Sequence, residues 1–390
     1  MIIIINAGSS SIKFAVYKPS DSPEKILDGQ INRIGLPDPT FKFHKINPEE
    51  KQSMCLAVTA YSGVINFLLN WLKTQIDFKL IKAIGHRLVH GMHYTKPMQL
   101  SGEILNELKT LIGFDPDHLP TEIQLIECFK TEFPEIPQFA CFDTDFHKNM
   151  PVVAKLLPIP RRFSNKGIHR YGFHGLSYQY LMRQLEIHAG NESANGRVIL
   201  AHLGSGASLA AVYRGGSLDT SMGFTPASGI PMSSRSGDLD PGICTYIMES
   251  ERLSPLQFSA IVNHESGLLG ISGTSADMMD LLKQESSDLR SAEAVGIFCY
   301  QAKKCIGSFA AVLGGLDSLV FSGGIGENAP VIRERICAEL TFLGIELDEQ
   351  ANIRNAHIIS STNSKTVVRV IPTDEAWMIA WIISGMIHVY

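Results

Sequence analysis

The chain has 390 residues, of which 45% are apolar and 19% charged. That is too long for one comfortable core and suits two domains of ordinary size, and no long stretch reads as disordered. The net charge of −5, with no cluster of Lys and Arg, excludes nucleic acid as the main partner, because binding the phosphate backbone needs a basic surface. Any anion it binds is expected to be small.

In chain order, the first element is a strand that runs into a small-residue turn, Ile2-Ile3-Ile4-Ile5-Asn6-Ala7-Gly8-Ser9-Ser10-Ser11-Ile12-Lys13. The pattern returns in Ile199-Leu200-Ala201-His202-Leu203-Gly204-Ser205-Gly206-Ala207-Ser208-Leu209, with Gly8 in register with Gly204, Val16 with Val212 and Tyr17 with Tyr213. Each half reads as a strand, a glycine and hydroxyl turn, and a second strand. Without bulky Cβ substituents, successive N–H groups in such a turn approach anionic oxygens closely, so two facing turns would grip a polyphosphate. Either turn alone would pass for an ordinary hairpin; the duplication is what points to phosphate.

Between the repeats, Ser101 opens a helix with Ile104, Leu105, Leu108, Leu111 and Ile112 on one face, ended by Gly113, and Thr121 with Gln124 predicts a capping box for a second. The apolar runs 82–86 and 138–142 are strands leading into Arg87 and Asp143, and polar groups at strand ends mark a crevice in α/β proteins. The proline-bearing stretch 145–168 is the expected connection between domains. Beyond the second repeat, Asp240-Pro241 and Ser254-Pro255 pair a cap residue with proline at the first helical position. An alanine-rich helix covers 292–313. Ser318 to Phe321 is a strand running into the glycine turn Ser322-Gly323-Gly324-Ile325-Gly326-Glu327-Asn328 and a helix near Pro330, which is a ready anion or nucleotide edge. Val367 to Ile371 is a last strand, and Thr373-Asp374-Glu375 starts a last helix with Trp377 and Trp381 on one face.

Seven cysteines in neither CxxC spacing nor even number favour reduced thiols over disulfides or zinc, hence a cytoplasmic protein. The start lacks the features of a signal peptide, and no apolar run approaches the roughly 18 to 20 residues of a membrane span.

Four clusters hold more polar groups than a core needs: Gly85-His86-Arg87-Leu88-Val89-His90-Gly91, Phe142-Asp143-Thr144-Asp145-Phe146-His147, Tyr171-Gly172-Phe173-His174-Gly175 and Ser233-Ser234-Arg235-Ser236-Gly237-Asp238. Seen singly, an Arg beside an Asp is more often a structural ion pair, and a His between Phe and Gly a packed imidazole. Taken together they suit a reaction that builds negative charge, such as phosphoryl transfer.

With these motifs, and with Asp219-Thr220-Ser221-Met222-Gly223-Phe224-Thr225-Pro226, Ser266-Gly267-Leu268-Leu269-Gly270 and Pro372-Thr373-Asp374-Glu375, the sequence resembles the acetate kinase family over nearly its whole length. The resemblance implies an α/β fold, duplicated and ribonuclease H-like (actin-like ATPase), with the active-site cleft between a first domain, 1–145 plus 376–390, and a second, 146–375. It implies reversible ATP-dependent phosphorylation of acetate to acetyl phosphate plus ADP, dependence on Mg2+ or Mn2+, and a homodimer. Propionate, butyrate or another small carboxylate, or a donor other than ATP, are the alternatives; a nucleotide switch that only hydrolyses ATP would have no need of a carboxylate clamp. Carried over by position, Asn6 and Glu375 belong to the metal site and Lys13 lies near the ATP phosphates. His202, Leu203, Gly204, Ser205 and Gly206, with Gly324, Ile325, Gly326, Glu327 and Asn328, hold the nucleotide, together with Asp277, Met278 and Met279. Arg87 and Arg235 bind the carboxylate and the phosphoryl group, His174 stabilises its oxygens, and Asp143 is the catalytic acid. Val89, Phe173 and Pro226 line the pocket for the alkyl end, near Asp117 and His118.

Physical chemistry alters one role. A carboxylate with a pKa near about 4.3 is already ionised at neutral pH and needs no general base, so Asp143 is expected to orient Arg87, Arg235 or a metal-bound water. Four positions depart from the family pattern. Asp117 stands where an apolar wall residue is usual, so either the substrate has a polar or cationic tail or Asp117 turns outward. Ser205 replaces an asparagine, and Met279 replaces an arginine, which leaves soft apolar contact where a guanidinium would stack. Tyr178 stands in place of a frequent histidine, a change the sequence does not explain.

Overall fold

The computed structural model describes residues 1–8 and 10–387; Ser9 of the first turn and residues 388–390 of the expected first domain lie outside them. The chain forms two compact units, one of Met1–Asp145 with the segment from Asp374 onward, the other Phe146–Thr373.

The first unit is built on an eight-stranded sheet: β1 (Ile2–Ala7), β2 (Ser11–Lys18), β3 (Glu24–Asn32), β4 (Thr40–Lys45), β5 (Glu50–Cys55), β6 (Ala83–Leu88), β7 (Met98–Gln99) and β8 (Gln138–Phe142), in the order β5-β4-β3-β2-β1-β6-β8-β7. Strands β1 to β5 pair antiparallel, whereas β1, β6 and β8 run parallel. Alternation decides which residues face which layer. Ile3 and Ile5 of β1 join Phe14, Val16, Leu27 and Phe41 in a core closed by Val64, Leu68 and Leu72 of the helix Tyr61–Gln75. On the other face, Gly85 of β6 lets the helix Glu375–Ile387 come close: a Cβ built there would stand 2.3 Å from Ile383 and 2.8 Å from Ile379.

The second unit repeats the plan with β9 (Arg197–Leu203), β10 (Ala207–Tyr213), β11 (Gly216–Thr220), β12 (Ser318–Ser322) and β13 (Val367–Val370), ordered β11-β10-β9-β12-β13. Its first three strands are an antiparallel meander and its last two run parallel to β9. Laid on the first sheet, this order matches β3-β2-β1-β6-β8, which is the duplication expected from the glycine turns. The turns themselves differ by one residue: Ala7↔Ile12 closes the first hairpin and Leu203↔Ala207 the second.

Two local expectations are corrected. The helix expected to be capped by Thr121 and Gln124 spans Leu119–Glu132 with His118 at its N-cap. Pro120 sits in its opening turn, and the Thr121 hydroxyl donates to the His118 carbonyl at 2.8 Å instead of capping. The glycine turn after β12 is itself a short helix, Gly323–Asn328, ahead of the helix Pro330–Cys337. The caps at Ser101, Asp240 and Ser254 form as expected, the last with its reciprocal Gln257 contact.

Two buried histidines make the fold acid-sensitive. His86 lies 2.6 Å from the Gln138 side-chain oxygen, and His147 is held between the Ser217 hydroxyl (2.8 Å) and the Phe173 carbonyl (3.1 Å). Burial pushes both imidazoles down to about 4, against partial restoration by those hydrogen bonds. The unfolded chain protonates them near 6.5, so it binds more protons than the folded one between pH 6.5 and 4. Stability is therefore fully present above that window and lost as pH falls through it, by about 2 kcal/mol per histidine at pH 5. Urea midpoints at pH 7 and pH 5 check this, and a His147→Gln variant is expected to show the smaller difference between them.

Candidate active site

In each unit the parallel strands end their C-terminal edges together, and there the sequence-predicted groups stand. In the first, Asn6 pairs with Arg87 across β1 and β6, Arg87 with Cys141 across β6 and β8, and Asp143 follows β8 directly. Asp143 is fully buried and takes Arg87 in a fork, Nε donating to Oδ1 at 3.0 Å and Nη2 to Oδ2 at 2.5 Å. The third guanidinium nitrogen, Nη1, donates to Asn6 Oδ1 at 3.0 Å, and Glu375 Oε2 lies 3.6 Å from Nε. Burial works against the Arg87 charge, but the Asp143 and Glu375 carboxylates outweigh it and hold the group above its ordinary range. Planar, bidentate and permanently charged, it is fixed in direction as a lysine would not be.

Asn6 Nδ2 donates to Glu375 Oε2 at 3.3 Å, so the two expected metal ligands are neighbours although 369 positions apart in sequence. Among the described residues no three His, Cys, Asp or Glu side chains gather to hold a metal ion. One amide oxygen and one carboxylate fit a hard cation that keeps most of its water and takes oxygens from phosphate, the manner of Mg2+, and not an all-protein cage. Lys13, opposite Asn6 on β2, is exposed.

Sequence reasoning missed Glu122, which lies buried on the helix Leu119–Glu132 and accepts the Val89 N–H at 3.1 Å through Oε1. Burial first, then the Asp115 carboxylate, raise its carboxyl well above the ordinary range, against Arg87 and the Val89 bond. Its signal was available: Glu122 falls in the stripe of Leu119, Ile123 and Ile126. Val89 and Phe173 are buried, Pro226 half-buried. Asp117 is half-buried; the deeply buried acid of that segment is Asp115, 2.8 Å from His118 Nδ1.

In the second unit His174 occupies the N-cap of the helix Gly175–Asn195 at φ 59°, ψ 22°, a left-handed conformation unusual for a side-chain-bearing residue. Its Nδ1 is hydrogen-bonded to Ser208 on β10 (2.8 Å), while His202 on β9 reaches back through Nδ1 to Ser177 of that helix (2.8 Å). The two imidazoles stack with centroids 4.3 Å apart. Both His174 Nε2 (3.3 Å) and Arg235 Nη1 (3.7 Å) lie beside the position a Cβ on Gly206 would take, so they converge on the glycine turn. Gly204 in turn adjoins the Gly324 N–H, at 3.8 Å from its own built Cβ, which joins the two glycine segments into one edge.

Not every expected nucleotide residue offers its side chain. Glu327 turns inward, where Oε1 accepts from the N–H groups of Gly323 (2.9 Å) and Thr373 (3.1 Å). Leu203 and Met278 pack in the core. Asp277 caps the helix Met278–Gln284 by accepting the Met279 N–H at 2.7 Å. Ser205, Gly324, Asn328, Asp277 and Met279 are exposed, and Ile325 is half-buried beside the buried Gly326. Beneath this edge, which sequence reading also missed, Arg333 is wholly buried and donates to the carbonyls of Gly326 (2.8 Å) and Glu327 (3.1 Å). Its other bonds go to Asn352 and Asn355, and burial among neutral partners pushes it down to about 10.

Known proteins resemble this chain over nearly its whole length. The profile of the Acetokinase family matches residues 1–381. An acetate kinase of Rhodopseudomonas palustris is 41% identical over 387 residues, covering 97% of this chain and 96% of its own, and one of Thermoanaerobacterium thermosaccharolyticum is 41% identical over 389, covering 97% of each. Among solved structures, Porphyromonas gingivalis acetate kinase superposes with a TM-score of 0.88 at 34% identity, covering 100% of this chain and 99% of that one. A propionate kinase from Francisella tularensis reaches 0.91 at 36%, covering 98% of both.

Proposed function

The chain belongs to the acetokinase family, phosphotransferases with a carboxyl group as acceptor, and from that premise we propose that it moves the γ-phosphoryl group of ATP reversibly onto acetate, giving acetyl phosphate and ADP. The observation that carries the reading is the Arg87 guanidinium, held at the strand edge by Asp143 beside Asn6 and Glu375. Phosphoryl transfer makes little covalent demand on a protein; positioned positive charge does most of what is needed.

The acceptor carboxylate is a competent nucleophile as it stands, so Asp143 serves to aim Arg87 and not to abstract a proton. Arg87 binds the acceptor, Arg235 and His174 meet the equatorial oxygens of the moving group, and Val89, Phe173 and Pro226 exclude water around the alkyl end. The backbone of 202–206 and of 324–328, with Lys13, takes the polyphosphate, and Asp277 and Met279 lie toward the nucleoside. Asn6 and Glu375 would hold Mg2+, or Mn2+, which supplies neutralisation of phosphate charge when bound.

Propionate is the second acceptor to consider, since a propionate kinase superposes at 0.91 and one methylene is worth only about 1 to 3 kcal/mol in an apolar pocket. A panel of acetate, propionate, butyrate and polar carboxylates, crossed with ATP, GTP and pyrophosphate and scored by hydroxamate trapping, is expected to give acyl phosphate best from acetate and ATP. ATP hydrolysis indifferent to every carboxylate would sink the proposal. The Asp117→Leu variant is expected to keep the wild-type order of acceptors; a switch of preference would place Asp117 at the substrate.

Two further expectations complete the reading. All seven cysteines are unpaired thiols, which supports a reducing, cytoplasmic setting; no helix among the described residues is long and apolar enough to cross a membrane. The helices Pro241–Ser250 and Pro255–Ala260 bury no residue and expose Ile243, Tyr246 and Leu256, a face suited to a second copy of the chain. Sedimentation is expected to show a dimer, dissociated in a Tyr246→Glu variant.

A further inference from the structure

We infer that Tyr178, acting through Ser208, fixes His174 in the tautomer that carries its proton on Nε2, which makes Tyr178 a positioning residue for the imidazole; this deepens, and rests on, the proposed contact of His174 with the phosphoryl group. Tyr178 lies one helical turn beyond His174, its N–H donating to the His174 carbonyl at 3.0 Å. Both side chains reach the same hydroxyl, the fully buried Ser208 Oγ, at 2.8 Å from His174 Nδ1 and 2.5 Å from Tyr178 Oη.

A serine hydroxyl has a single proton and two lone pairs, and among the described residues the fully buried Ser208 Oγ has these two side chains as its partners. Its proton must go to one of them, so a chain of this kind has one of two directions. If Tyr178 donates to Ser208, Ser208 donates to Nδ1 and the imidazole proton must sit on Nε2. In the reverse order Nδ1 would be protonated and Nε2 would offer a lone pair. A phenol, with a pKa near about 10, is a far stronger donor than an aliphatic alcohol, which favours the first direction. The proposed role asks for it as well. Nε2 faces the Gly206 turn, where an N–H attracts phosphoryl oxygens and a lone pair would repel them; the Arg235 guanidinium on the same turn acts the other way until an anion lies between the two.

Packing leaves the phenol little freedom. Tyr178 is fully buried, tilted against Phe146 at 5.8 Å and edge-on to His147 at 5.6 Å, and His147 is itself locked by Ser217 and Phe173. The neighbouring chain makes the contrast. His202 Nδ1 meets Ser177, whose hydroxyl adjoins Thr373 Oγ1 at 2.8 Å. Two aliphatic hydroxyls of equal acidity impose no such direction, so the asymmetry belongs to Tyr178.

Long-range 1H–15N spectra of the histidine-labelled whole protein at neutral pH, with His174 assigned by a His174→Gln variant, read the tautomer directly. A proton on Nε2 alone is the expected result, and a proton on Nδ1, or on both nitrogens, overturns the inference without any variant having to fold. In kinetics, Tyr178→Phe is expected to lower kcat about 10-fold, roughly one hydrogen bond's worth, with KM for carboxylate and ATP within about two-fold. Ser208→Ala should match it, and the double variant should lose no more. An unchanged kcat, or a loss expressed in KM, would count against the relay. Full activity in His174→Gln would instead remove the role given to His174, while the wild-type spectrum would still decide the tautomer.

Discussion

Replacing Arg87 or Arg235 with alanine is expected to lower kcat by about 10³-fold or more, the scale on which a guanidinium aimed at a transferring phosphoryl group acts. The two variants should differ in what else they lose. Arg87 neutralises Asp143, which is fully buried, so its removal strands a carboxylate and is expected to cost about 3 to 5 kcal/mol of stability as well. Arg235 is half-buried, with its Nη1 4.0 Å from the Met232 sulfur, so its loss is expected to cost less stability than that of Arg87. Steady-state kinetics with thermal unfolding on the same samples separates the two. An Arg235→Ala enzyme retaining more than a tenth of wild-type kcat would remove that residue from the reaction. Asp143→Asn removes the charge and one of the fork's two accepting oxygens; a rate loss that titrates with pH and ignores Mg2+ concentration would restore the proton-abstracting role.

Substituting Gly267 is expected to be nearly as damaging, although it carries no chemistry. Its φ is +61°, and a Cβ there would stand 2.1 Å from the Met232 carbonyl oxygen and 2.6 Å from that of Arg235. The loop bearing Arg235 is laced to this point: Leu268 N–H donates to Met232, Leu269 to Ser233 and Ser266 to Ser234, all within 2.8–2.9 Å. A methyl group must push that lacing apart, and a displacement of about 1 Å in a catalytic cation is enough for a loss near 10²-fold. Gly267→Ala should therefore show kcat reduced about 10²-fold with the fold kept, and Gly267→Val little folded protein. Wild-type kinetics in Gly267→Ala would mean that the loop is positioned by something else.

What the sequence discloses and what it withholds divide along a physical line. The hairpins around Gly8 and Gly204 were legible because apolar strands meeting a small-residue turn are local patterns, and so were the helices opened by Ser101, Asp240 and Ser254. Strand β5 was not, since Glu50–Cys55 is an edge of polar, exposed residues without alternation. Thr121 misled because the proline beside it moved the helix start. Glu327 looked like a ligand in a glycine loop until its carboxylate was seen to hold Gly323 and Thr373. The proximity of Asn6 to Glu375, and of Tyr178 to Ser208, arises from strand order and no spacing rule encodes it. Position-by-position resemblance supplied the candidate site's membership, and only the folded chain showed which of its groups meet.

Because the helix Glu375–Ile387 lies over Gly85 and its neighbours in the first sheet, the unit begun first is finished only after the whole of 146–373 has been made. A ribosome extending this chain holds a half-covered layer of aliphatic side chains for the entire translation of the second unit. Such a nascent surface is where chaperones act and where aggregation starts. Mutations that weaken the docking of Ile379 and Ile383 would accordingly show themselves first in yield of soluble enzyme, well before any change in turnover.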